Sequence, residues 1–87
     1  MAQLIVITQP ELAAGFRLAG VQTIAARTAE EAHHRLLALL DDEDAGIVAI
    51  DRVWLEALEP ALQHRIAQGY RPVVIGIPQG QAGDGAT

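Results

Sequence analysis

Eighty-seven residues admit one small domain, which buries only about 60 to 65% of its unfolded surface, so a partner or a second copy has room to add stability. Apolar residues make up 51% of the chain, mostly Ala, Leu, Ile and Val, a globular composition without the ~18-residue apolar run that a membrane span needs. The net charge is −5, Lys is absent, and the six arginines (Arg17, Arg27, Arg35, Arg52, Arg65 and Arg71) are scattered, which excludes the basic face that nucleic acid requires and disfavours anionic membranes.

Leu4-Ile5-Val6-Ile7 is a continuous β-branched run, expected of a strand buried on both faces. Pro10 suits the first turn of a helix. Thr8 and Glu11 have capping-box spacing, although Pro10 pushes Gln9 toward extended geometry and so toward the cap position. Leu12, Phe16 and Ala19 share a helical face that Gly20 ends. Gln22 to Ala26 reads as a weaker second strand. Thr28-Ala29-Glu30-Glu31 is a cleaner capping box, and Ala32, Leu36, Leu39 and Leu40 mark the buried face of the helix it opens.

Asp41-Asp42-Glu43-Asp44 would oppose a helix dipole at its C-terminus and reads as a loop. Ile47 to Ile50 is a third strand. Asp51 is a plausible cap for a short helix from Arg52 to Leu58, and Pro60 opens another that runs to about Gln68, with Leu58, Leu62 and Ile66 as its apolar stripe and Gly69 as its stop. Val73 to Ile77 is the fourth strand.

The order βαβαβαβ with right-handed crossovers predicts an α/β fold in a single small domain, residues 1–78. It is a four-stranded parallel sheet of order 2-1-3-4 with helices on both faces, like the start of a flavodoxin-like or Rossmann-like sheet. Residues 79–87 hold three Gly and nothing apolar but Ala, which predicts a flexible tail.

Ligands of such sheets bind at the carboxyl ends of the strands, here Thr8 and Gln9, Arg27, Asp51 and Arg52, then Pro78 and Gln79. A dinucleotide needs glycines between the first strand and helix, and Thr8-Gln9-Pro10 has none; a P-loop needs a Lys, and the chain has none. A phosphoacceptor receiver domain would use an Asp at the end of the third strand, as Asp51 is. It also needs acids after the first strand for Mg²⁺ and a later Lys. Those are missing, so a helix cap is the preferred reading of Asp51.

His33, His34 and His64 lack partners at metal-ligand spacing, and the acidic loop lacks the pattern of a calcium site. Cys and Ser are absent, which removes disulfides, thiolate ligands, and thiol and serine nucleophiles. No secretion signal opens the chain, and a cytoplasmic location is expected. The expectation is therefore no catalytic residue, no cofactor and no metal.

The surface carries more than the cleft. Val53, Trp54 and Leu55 are consecutive, and one helix face cannot bury all three. Trp54 with Leu55 reads either as a partner anchor or as core folded over the sheet edge. Arg17 is either a solvated charge or a partner contact.

The string Gly15-Phe16-Arg17-Leu18-Ala19-Gly20-Val21, following a strand and a Pro-Glu turn, resembles the F subunit of rotary V/A-type ATPases. Thr28 to Ala32, Ile47 to Asp51, and Arg71-Pro72-Val73-Val74 leading to Ile77-Pro78 extend the resemblance from Leu4 to about Gly80. It implies a noncatalytic part of the central rotor stalk. Such a part lies beside the coiled-coil D subunit and helps couple ATP turnover to rotation and to proton or sodium transport. It would be cytoplasmic, peripheral to the membrane, and free of nucleic acid. The family usually continues past the fourth strand into a further C-terminal segment, so the chain reads either as a short variant or as a truncated one, with its partner contacts expected at Arg17, Trp54 and Leu55. The alternative is a receiver-like or small-ligand regulatory module.

Overall fold

β1 (Gln3–Thr8) and β3 (Ala45–Asp51) form the centre of a sheet in the computed structural model, which describes residues 3–69 and 71–78. β2 (Gln22–Ala25) and β4 (Val73–Ile77) are its edges, and the order is β2-β1-β3-β4, all parallel. Ile5, Ile7, Val48 and Ile50 are buried at its centre, as β-branched residues between two neighbouring strands should be. Each expected strand is present. β1 and β3 run a residue or two further than the apolar runs, because pairing continues through Thr8 and Asp51.

α1 (Pro10–Leu18) starts from extended Gln9, whose side chain makes no capping bond. Gly20, at φ +87°, lets the chain reverse after it. α2 (Ala29–Leu40) is capped as its sequence predicts: Glu31 N–H donates to Thr28 Oγ1 at 3.1 Å. In return Glu31 Oε1 accepts from the N–H of Arg27, one residue before the cap. α3 (Arg52–Glu56) ends two residues before the expected Leu58, in a turn at Ala57. α4 (Pro60–Gln68) has the expected bounds, with Leu62 and Ile66 half-buried and Leu58 buried just before it.

A right-handed crossover from β1 leftward to β2 places α1 on one face of the sheet, and the rightward crossovers place α2, α3 and α4 on the other. The larger core lies on the second face, where Ile5, Ile7, Val48 and Ile50 meet Ala32, Leu36, Trp54 and Leu58. Gly76 permits close packing of α3 on β4. A Cβ there would stand 3.2 Å from Leu55 Cδ2 and 3.3 Å from the Arg52 backbone. Gly76→Ala should therefore cost about 1 to 3 kcal/mol, read as a lowered denaturation midpoint with an unchanged denaturant slope.

Candidate functional site

At the carboxyl ends of the central strands, the register brings Thr8 beside Asp51. Both are fully buried, and the Thr8 hydroxyl donates to Asp51 Oδ1 at 2.8 Å. Gln9 Nε2 reaches Asp51 Oδ2 at 3.5 Å, a long and weak bond. Asp51 holds the position before α3, but its side chain makes no capping bond. The expected cap is thus corrected: the carboxylate is used as a cross-strand bridge. Its alternation along β3 aims it at the face shared with Thr8, away from the α3 backbone.

That edge has little room for chemistry. A cleft of about 250 Å³ is lined by Gln9, Pro10, Glu11, Arg27 and Trp54, but Asp51 is closed off from solvent. A phosphodonor cannot approach a carboxylate so covered. Among the described residues, no three of His, Asp and Glu stand together as metal ligands. His33 is half-buried, and its Nε2–H donates to the Trp54 carbonyl at 2.7 Å, tying α2 to α3. His34 and His64 are exposed.

Of the three residues read as partner contacts, Trp54 lies in the core at 7% exposure. The alternative reading of it as core folded over the sheet is the one the structure adopts, and Val53 is the apolar residue left outside in that turn. Leu55 is half-buried against the core beside Gly76. Arg17 is exposed in the last turn of α1, where a cation suits the helix dipole, and its guanidinium donates to the Thr23 carbonyl at 3.3 Å. The three do not converge on one surface.

A different surface does converge. On the face that α1 covers, Val6 and Ala49 are buried. Toward β4, however, Leu4, Ile47, Val73 and Ile75 are 42 to 50% exposed. Leu4, Ile47 and Val73 are register partners on three adjacent strands, and Ile75 stands two residues along. At the usual strand spacing they form a patch about 10 Å wide, about the breadth of one helix. Leu18, 90% exposed, ends α1 at the same amino-terminal end of the strands. Asp51 shares this face of β3, but it is buried at the carboxyl end of the strand, away from Leu4, Ile47 and Val73.

The strand runs were expected to be buried on both faces, and this half-face departs from that. The reason is topological: among the described residues, α1 is the one helix on that side. The apolar runs resemble those of a fully covered strand, so periodicity does not distinguish the two cases. Counting crossovers by their direction would have done so.

The profile of the family described as ATP synthase (F/14-kDa) subunit matches residues 4–87. The F subunit of the V-type ATP synthase of Thermus thermophilus is 38% identical over 72 residues, which is 83% of this chain and 69% of that one. The F subunit of the A-type ATP synthase of Archaeoglobus fulgidus is 30% identical over 78 residues, covering 88% and 77%. The crystal structure of the V-type ATP synthase F subunit from Archaeoglobus fulgidus superposes with a TM-score of 0.80 at 26% identity, covering 87% of this chain and 96% of that one.

Proposed function

Because the chain belongs to the F-subunit family of V-type and A-type ATP synthases, we propose that it is a noncatalytic part of the central rotor stalk. It binds the coiled-coil D subunit and helps couple ATP turnover to rotation and ion transport. The observation that carries this reading is the uncovered half-face at Leu4, Ile47, Val73 and Ile75. Parallel sheets are covered on both faces, and one helix of a partner fits the missing cover.

Magnitudes favour a larger partner over a second copy. Complete burial of an aliphatic side chain gives roughly 1.5 to 3 kcal/mol. Four half-exposed ones therefore hold about 3 to 6 kcal/mol in reserve, close to the minimum cost of association, roughly 4 kcal/mol or more. The patch alone would sustain a weak self-contact. A partner that adds contacts around it would sustain a stable one. Arg17 and Leu18, exposed on α1 at the same end of the strands, are placed to extend such an interface.

No helix among the described residues is long and apolar enough to cross a membrane. The proposed place is cytoplasmic and peripheral to the membrane, within the complex. The receiver-like alternative would need Asp51 within reach of a donor, and burial opposes it. Gel filtration of the full chain with the D subunit tests the proposal: co-elution at micromolar concentration is expected, and separate elution would contradict it.

A further inference from the structure

Among the described helices, α4 is the least anchored. None of its nine residues is buried, whereas α1, α2 and α3 each bury at least one. Leu62 and Ile66 reach the core but stay half-buried. Clefts flank the helix on two sides. One of about 350 Å³ runs beside β4 and α3, between Leu55, Gln63, Ile66 and Val74. The other, about 460 Å³, runs toward α2 between Leu37, Ala57 and Leu62.

Polar ties add to these partial apolar contacts. Gln63 Nε2 donates to the Leu58 carbonyl at 3.0 Å and to that of Glu56 at 3.3 Å. Arg65 pairs with Asp41 at 2.7 Å, with both side chains well exposed, so solvent and salt weaken the pair. The helix begins at Glu59-Pro60, where Pro supplies no N–H to break, and ends at Gly69, whose backbone is already extended.

We propose that α4 opens as a unit while the sheet stays folded, swinging on Glu59-Pro60 and Gly69 as a strap over the sheet edge. Lifting it uncovers Leu55 and Val74 beside edge strand β4, a second apolar surface on the face opposite Leu4 and Ile47. The inference stands on packing alone and does not depend on the family assignment.

Native-state hydrogen exchange of the full chain tests it. Amides of Ile66, Ala67 and Gln68 should exchange through an opening about 100-fold or more better populated than the one that exposes β1 and β3, with little dependence on denaturant. Asp41→Asn removes the charge that attracts Arg65 and should speed the α4 amides by up to about fivefold, leaving β1 and β3 unchanged. Exchange of α4 in step with β1 and β3, with the same denaturant slope, would overturn the proposal. So would an Asp41→Asn variant that speeds β1 and β3 as much as it speeds α4.

Discussion

Ile50→Ala is expected to cost about 2 to 5 kcal/mol, the largest stability loss of any single substitution considered. Ile50 is fully buried in β3, with its backbone paired to β1 on one side and to β4 on the other. It sits in the core shared by the sheet, α2 and α3. A chain of this length has roughly 4 to 13 kcal/mol in total, so the variant loses a large part of its stability and about 10 °C or more in Tm. The companion Ile47→Ala lies three residues earlier on the opposite face, 42% exposed, and should cost roughly 1 kcal/mol. Thermal melts of the two variants read the assignment of faces directly. Equal losses would mean that the half-face at Ile47 is covered in the isolated chain.

Thr8→Val is the second large effect. It removes the hydroxyl that donates to Asp51 Oδ1 and keeps the shape of the side chain. The buried carboxylate is left with the long Gln9 contact. A hydrogen bond to a charged group contributes about 1.5 to 3 kcal/mol, so Tm should fall by about 6 °C or more. The comparison with Asp51→Ala separates two roles for this acid. A helix cap would make Thr8→Val almost silent and Asp51→Ala cost about 1 kcal/mol. A cross-strand bridge makes both costly, and makes the double variant less costly than the sum. The bridge also gives a reason for an acid here without chemistry: it ties the carboxyl ends of β1 and β3 where the two strands part into α1 and α3.

Most of the fold was legible in local pattern. The runs Leu4 to Ile7, Ile47 to Ile50 and Val73 to Ile77 could be little but strands. Thr28 and Glu31 announced α2, and Pro10 and Pro60 fixed the first residues of α1 and α4. The strand order was read by likeness to a flavodoxin-like sheet, and right-handed crossovers then put helices on both faces. Side-chain roles that depend on register were less accessible. Asp51 is one position past a run whose parity puts it on the α1 face beside Thr8, and that relation appears only when β1 and β3 are aligned. Trp54 was legible as apolar but not as inward, because a five-residue helix shows no periodicity. The half-face at Leu4, Ile47, Val73 and Ile75 was hidden for another reason. An apolar strand with one open face has the same composition as one covered on both, so composition does not separate the two. The glycine-rich tail expected at residues 79–87 lies outside the described residues.

The family string around Arg17 also has a physical reading. Gly20 reverses the chain, Arg17 bonds the Thr23 carbonyl, and Leu18 is left outside. The first two secure the turn from α1 to β2, and the third adds apolar surface on the side of the uncovered sheet.

The central claim is that the uncovered half-face is where this protein meets the stalk. Its most direct test is a calorimetric titration of the D subunit into the wild-type chain and into Ile75→Glu, whose side chain is 45% exposed in edge strand β4. The account predicts micromolar or tighter binding by the wild type. It predicts at least about 30-fold weaker binding by the variant, the loss expected of an anchor in a desolvated contact, with Tm changed by only a few degrees. Equal affinity of the two proteins, or no binding by the wild type, would contradict it.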